Sequence, residues 1–367
     1  MKIIAIVDLR QVIVNGGKDV IARHGLYADK LSEKTNHEFA LKILTTGELS
    51  HVAPEYQELF VRIGENSRSY VGNVIMLRRF LSHDKNIKLM VSGDVFVSGL
   101  QSLFSQIFSG RKIPIQFQVH ADLAAKGWAS HTFKNRFKFV IAYFVLKNAI
   151  YIRTVSKRQS ENIRRIARRK AVIQVVPVPL NTPKILRINR DFHDPFTIGI
   201  LGRMQKDRGI SLIESFAKEF EKESMNIKFI FAGNGPDDLT IQDFCTKFPR
   251  STEFENLGFL ASDELDKFWN KSDCLLNLAP FESYGRSMRE AIMLGIKVIS
   301  VPSSGSLDLF DEVGPDWVSL WTPGAKVTAP MMVRKIRSLD KGKPHPSFND
   351  VSSQNVDRLI QSWLDCH

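Results

Sequence analysis

Phe281-Glu282-Ser283-Tyr284-Gly285-Arg286-Ser287-Met288-Arg289-Glu290-Ala291-Ile292 sets two carboxylates eight positions apart around a glycine-containing turn that opens an apolar helix. The apolar run Asp273-Cys274-Leu275-Leu276-Asn277-Leu278 precedes it and Lys297-Val298-Ile299-Ser300-Val301 follows it. The segment therefore reads strand, turn, helix, strand. Upstream the alternation repeats. Phe196-Thr197-Ile198-Gly199-Ile200-Leu201 ends at Gly202, and a helical pattern runs through Leu212, Ile213, Phe216 and Phe220. Lys228-Phe229-Ile230-Phe231-Ala232 then ends in Gly233-Asn234-Gly235-Pro236. Strands alternating with helices predict an α/β fold with a doubly wound parallel sheet, whose ligands sit at the carboxyl ends of the strands.

Each unusual residue lies at such an end. A carboxylate only accepts hydrogen bonds, so it can hold two hydroxyls of a ribose or pyranose at once. Backbone N–H groups of Ser283 to Ser287, at a helix N-terminus, suit a phosphate. Arg203 and Arg208 leave one strand-to-helix turn, and a guanidinium that stays charged suits a diphosphate. Two acids alone fit a solvated loop and a helix surface, and two arginines alone fit a solvated turn. Sugar, phosphate and ribose together describe a nucleotide-sugar.

Four segments, in order, resemble the retaining glycosyltransferases of family 4, also called group 1, which have the GT-B fold. Gly202-Arg203 with Arg208-Gly209 resembles the family's Gly-Arg and Lys-Gly pair, and Ala232-Gly233-Asn234-Gly235-Pro236 resembles its Gly-x-Gly-Pro turn. Leu257-Gly258-Phe259-Leu260 resembles its base-side loop, and Glu282 to Glu290 its E-x7-E signature. Four motifs in register are far more specific than one. Arg208 stands where the family usually has Lys, which keeps the charge and changes its geometry.

The resemblance implies two Rossmann-like doubly wound domains facing a cleft. Residues 1–185 are expected to bind acceptor and 186–350 the nucleotide-sugar, with 351–367 a helix packing back on the first domain. It implies that Glu290 takes the donor ribose, Arg203 and Arg208 the diphosphate, and Ser283, Tyr284, Gly285, Arg286 and Ser287 the phosphate and sugar. Glu282 faces the donor sugar, while Gly17, Gly202 and Gly258 line the donor site. No metal and no cofactor is expected, the nucleotide-sugar being a co-substrate, and no Asp-x-Asp dyad stands at a strand end.

In the first half, Met1-Lys2-Ile3-Ile4-Ala5-Ile6-Val7-Asp8 is too short and too soon closed by Asp8 for a signal peptide, and reads as a buried strand. Gly16-Gly17 precedes a helical pattern through Ile21, Tyr27, Ala28 and Leu31. The pair fits an ordinary turn and a close backbone approach to substrate equally well. Ile113 to Val119 is a strand that delivers His120 and Asp122 beyond its end. A lone histidine there is usually structural. The resemblance implies instead that His120 is an active-site residue facing the donor sugar, with Asp122 and Gly16 on the acceptor side. Ile152 to Ser156 reads as the last strand of the domain, with Ser156 opening the next helix.

The net charge of +12 is concentrated. Residues 111–170 hold 15 Lys or Arg against Asp122 and Glu161, a net +13, whereas the remainder holds 36 basic and 37 acidic residues. Within that stretch, Phe133 to Lys147 joins a basic start to an apolar body too short to span a bilayer. Most of its apolar residues are expected in the core, with Lys134, Arg136, Lys138 and Lys147 on a rim facing an anionic membrane surface. The basic clusters Arg164-Arg165 and Arg168-Arg169-Lys170 extend that rim. Nucleic acid is the competing partner, but no motif for it accompanies the charge.

At 367 residues the chain suits two domains, and 43% hydrophobic content fills both cores. Cys245, Cys274 and Cys366 show no pairing or metal-ligand spacing and are expected to be reduced thiols in the cytoplasm. The expected function is metal-independent, retaining hexosyl transfer from a nucleoside diphosphate sugar to a saccharide or lipid-linked acceptor hydroxyl, in polysaccharide or lipid-linked oligosaccharide synthesis. The expected place is the inner face of the cell membrane. Two other readings are an epimerase or hydrolase of the same fold and a non-enzymatic membrane or nucleic-acid binding protein.

Overall fold

The computed structural model describes every residue except 66–68, 181–190, 206–207, 237–251, 340–343, 349–350 and 367. Cys245 and residues 181–190, which hold the expected domain boundary, lie outside the described residues. The chain forms two units, Met1–Pro177 with Gln354–His367, and Val178–Ser353. The break after Pro177 comes earlier than the expected one after residue 185. Its local cause is Arg153, whose Nε donates to Val176 O at 3.1 Å and Nη2 to Pro177 O at 3.1 Å. These bonds fasten the exit segment to the first unit up to that residue.

Among the described residues the first unit holds strands β1 (Lys2–Asp8), β2 (Phe39–Thr45), β3 (Phe60–Arg62), β4 (Ile87–Ser92), β5 (Ile115–Val119), β6 (Tyr151–Thr154) and β7 (Val172–Val175). The second holds β8 (Phe196–Leu201), β9 (Ile227–Ala232), β10 (Thr252–Asn256), β11 (Cys274–Asn277), β12 (Lys297–Ser300) and β13 (Val318–Leu320). Their spatial orders are β3-β2-β1-β4-β5-β6-β7 and β10-β9-β8-β11-β12-β13. All pairings are parallel. Both sheets therefore reverse their winding once, between β1 and β4 and between β8 and β11, and a crevice opens beyond the strand ends at such a point. The expected pair of doubly wound parallel sheets is present.

The central strands are buried on both faces, which is why they read as continuous apolar runs and not as alternation. In the second unit Phe216, Phe229, Phe231 and Trp321 centre the core. Phe216 meets Trp321 edge to face at 5.0 Å, and the indole N–H of Trp321 donates to Glu219 Oε1 at 3.2 Å, so its polar tip is satisfied. In the first unit the helix Lys18–Lys34 buries Ile21, Tyr27 and Leu31. They share one core with Val356, Leu359, Ile360 and Trp363 of the helix Val351–Leu364. Tyr27 and Trp363 meet edge to face at 6.2 Å.

Candidate functional site

The helix Arg286–Met293 follows β11 through the loop 278–285. Gly285, with φ of 73°, turns the chain into it. Facing this turn is the β8 loop, where Gly202 and Arg203 pass to Arg208 and Gly209. The two loops approach so closely at Gly209, φ 79°, that a Cβ there would collide with the carbonyl of Leu278. A second close approach puts Gly233 against the carbonyl of Gly202, with Gly233 N donating to Gly258 O at 2.8 Å. The Gly-x-Gly-Pro turn thus supports the Gly202 loop, and Gly258 supports that turn.

Between the two loops lies a cavity of about 390 Å³ at the carboxyl ends of β8 and β11. Of the residues expected at the donor site, Gly202, Arg203, Arg208, Glu282, Arg286, Ser287 and Glu290 line it. The walls are apolar, with Ile200, Leu265 and Leu278 among them.

Inside it four of the five charged side chains are paired. Arg208 Nη1 donates to Glu282 Oε2 at 2.6 Å, and Arg286 Nε donates to Glu290 Oε1 at 2.9 Å. The Glu290 side chain is 8% exposed, so its charge needs that partner, whereas Arg208 is about half exposed. Arg203 is exposed and has no ion pair among the described residues, which leaves its guanidinium available to an anion.

Glu282 also builds its own loop. Its Oε1 accepts from Gly285 N at 3.1 Å and Tyr284 N at 3.4 Å, and its carbonyl accepts from Gly305 N at 2.8 Å. The expected phosphate cradle from Ser283 to Ser287 is thereby narrowed, because Glu282 occupies two of those amides. Arg286 and Ser287 open the helix, where N–H groups lack an acceptor one turn back. Ser283 and Tyr284 are buried, and Arg289 stacks on the Tyr284 ring at 4.0 Å while donating to the Tyr284 carbonyl. Their place is in the loop's foundation and not on the cavity wall.

Asn277, Ser262 and Leu265 are among the wall residues that the sequence reading did not place at the site. Asn277 ends β11 and its Oδ1 accepts from Ala279 N at 2.9 Å, shaping the turn toward Glu282. An asparagine closing an apolar strand was the available signal.

The remaining expected residues belong to the first unit. Gly16 and Gly17 lie exposed in the loop after β1, Gly17 preceding the helix Lys18–Lys34. That loop is closed by Asp8, whose carboxylate accepts from Val12, Ile13 and Val14 amides at 2.7, 3.0 and 3.1 Å. Burial raises the Asp8 pKa to about 6, against the lowering effect of those amides. The sequence reading saw Asp8 only as the end of a strand. His120 follows β5, with Nε2 3.1 Å from Gln118 Oε1, which also accepts from Arg153 at 3.1 Å. Gln118 Oε1 being an acceptor, Nε2 carries the proton in this network. Desolvation lowers the His120 pKa to about 3, with Arg153 and Arg23 acting in the same sense. Its side chain keeps an exposed face, so water relieves part of that desolvation, and the ring is neutral at pH 7. Asp122 is buried beyond it. A further cavity of about 530 Å³ in this unit, beside Ile107 and Arg111, holds none of the expected site residues.

The two sheets, their winding and the loop cavity define a GT-B architecture. Residues 181–318, which contain the four motifs, match the family model described as "Glycosyl transferases group 1". The chain is 28% identical over 127 residues to an alpha-monoglucosyldiacylglycerol synthase of Acholeplasma laidlawii, covering 34% of this chain and 31% of that protein. It is 24% identical over 131 residues to a 2-deoxystreptamine N-acetyl-D-glucosaminyltransferase of Niallia circulans, covering 36% and 34%. These alignments span about a third of the length of the curated relatives. The structure of a lipopolysaccharide outer core galactosyltransferase, WaaB, in its apo form superposes over 100% of this chain and 99% of that one, with TM-score 0.69 and 17% identity, a likeness of fold.

Proposed function

We propose that the protein transfers a hexosyl group from a nucleoside diphosphate sugar to an acceptor hydroxyl. The observation that carries this reading is the cavity itself, where three arginines, two carboxylates and a helix N-terminus converge at a winding reversal. A nucleotide-sugar is complementary to that set. Glu290 accepts from the ribose hydroxyls, Arg203 and Arg208 hold the diphosphate, and Glu282 turns to the sugar. The family match over residues 181–318 supports the same assignment.

In this reading the anomeric carbon loses its bond to the phosphate oxygen and gains one to the acceptor oxygen on the same face, so configuration is retained. The acceptor proton passes to the departing phosphate. Negative charge grows on the diphosphate as the bond breaks, and Arg203, Arg208 and the Arg286 and Ser287 amides stabilise it without a metal. His120, neutral, and Asp122 and Gly16 are the residues proposed to act from the first unit. Similarity to an alpha-monoglucosyldiacylglycerol synthase supports a lipid-linked or saccharide acceptor, and the reading places the work at the cytoplasmic face of a membrane.

Thermal unfolding against a panel of nucleoside diphosphates and their sugars tests the reading, since a ligand of the folded state raises apparent stability by mass action. A rise with one base, abolished in Glu290→Ala, supports it. No rise with any of them overturns it. Sugar released without acceptor, detected by mass spectrometry, would assign the same site to hydrolysis, and a changed sugar configuration, detected by NMR, would assign it to epimerisation.

A further inference from the structure

The helix Phe133–Asn148 was expected to bury its apolar body, and it buries only Ala142, Val145 and Leu146. On the other side Phe133, Phe137, Val140 and Phe144 are 86%, 65%, 62% and 46% exposed. Their spacing of four, three and four residues puts them in one stripe along one helix face. The stripe continues onto the neighbouring helix Val97–Ser109. Phe144 meets Phe104 at 6.2 Å, Phe104 meets Phe108 at 6.0 Å, and Ile107 and Phe108 are 57% and 58% exposed.

Cations border this face. Lys134, Arg136 and Lys147 are exposed on the same helix, whereas Lys138 turns inward over the Phe96 ring at 5.5 Å. At the helix's C-terminal end Arg168 N donates to Leu146 O at 3.0 Å and Lys147 Nζ to Ala167 O at 3.4 Å. Those bonds bring the exposed Arg168-Arg169-Lys170 run to the C-terminal end of the helix.

We propose that this face, centred on Phe133, Phe137, Val140 and Phe144, docks the protein onto an anionic phospholipid bilayer. The aromatic and branched side chains enter the interfacial layer and the basic border meets the lipid phosphates. Charge decides the occupant. A second copy would set basic border against basic border, and a nucleic acid offers phosphate but no apolar layer for four aligned side chains. The helix lies along the surface and does not cross it, since among the described residues no helix is long and apolar enough to span. This extends the membrane placement in the preceding reading, and its test uses neither donor nor turnover, so each can fail without the other.

The test is flotation of the full chain with vesicles of phosphatidylcholine alone and of phosphatidylcholine with phosphatidylglycerol. The wild type should float with the anionic vesicles and stay behind with the neutral ones. Phe133→Ser with Phe137→Ser, both on exposed positions, should cut binding by roughly ten-fold or more at unchanged thermal stability, since insertion scales with buried apolar area. Arg168→Glu with Arg169→Glu should cut it comparably and weaken its salt sensitivity. Emission from Phe137→Trp should shift to the blue on anionic vesicles. Equal flotation with both vesicle types, or undiminished binding by the Ser variant, overturns the proposal. Preferential capture by single-stranded RNA over anionic vesicles overturns it as well.

Discussion

Arg208 Nη1 stands 2.6 Å from Glu282 Oε2, joining the loops after β8 and β11 across 74 residues of sequence. The pair joins the cation proposed for the diphosphate to the carboxylate proposed for the sugar. A donor would separate them, each partner exchanging one charge-assisted bond for another. Because Arg208 is about half exposed, the pair itself contributes at most about 1 kcal/mol to stability. Arg208→Ala should therefore leave the melting temperature nearly unchanged and lower kcat/KM by roughly 100-fold or more, the scale of one lost transition-state donor. Arg208→Lys should retain most of that activity. Steady-state kinetics with the donor found by thermal shift checks both.

Glu290 is the more buried acid, and Arg286 is its salt partner at 2.9 Å. Glu290→Ala removes the ribose acceptor and leaves Arg286 unsatisfied by it. Donor affinity should fall by roughly ten-fold or more, as for loss of a hydrogen bond to a charged group. Titration calorimetry with the nucleoside diphosphate measures it directly.

Gly209 is where packing and backbone act together. Its positive φ disfavours any side chain, and a Cβ would strike the Leu278 carbonyl. Gly209→Ala should destabilise the protein by more than about 1 kcal/mol and widen the loop spacing. Urea unfolding gives the first effect. Donor affinity weakened in the same variant gives the second.

His24 supplies a pH dependence of defined sign. Burial lowers its pKa from 6.5 to about 4, opposed by the hydrogen bond to the Val20 carbonyl and aided by Arg23. The unfolded chain takes the proton first as pH falls. The stability contributed is thus complete above pH 6.5 and declines on acidification toward pH 4. His24→Gln should flatten the unfolding free energy over that interval, read by urea titration at stepped pH.

Trp363 is 1% exposed, and Trp363→Ala should cost about 3–5 kcal/mol by leaving a cavity beside Tyr27. Thermal and urea unfolding should place the loss in the first unit, with nucleotide-induced stabilisation of the second unit retained.

The strands were legible because parallel sheets covered on both faces leave runs such as Ile198–Leu201 and Phe229–Ala232, and glycines mark where those runs turn. Of the four motifs, all local in sequence, Gly202–Gly209 and Glu282–Glu290 located the cavity wall, while the Gly233 turn and Gly258 support the Gly202 loop. What stayed hidden depends on direction. Phe133, Phe137, Val140 and Phe144 are as apolar as any core stripe, and hydrophobicity carries no sign for inward or outward. The capture of the Tyr284 and Gly285 amides by Glu282 was also out of reach, since a side chain folded onto its own loop leaves the sequence pattern unchanged. So was the tie between His193 and Asp273, 2.8 Å apart from positions 80 residues distant.

The first unit is discontinuous, its core receiving Val356, Leu359, Ile360 and Trp363 from the helix Val351–Leu364. A ribosome supplies those four side chains only after the whole of Val178–Ser353 has emerged. The unit that begins the chain is therefore the second whose core can be completed. Until then, apolar surface around Tyr27 and Leu31 waits uncovered, and a nascent chain halted before residue 351 would present it to chaperones in place of its own helix.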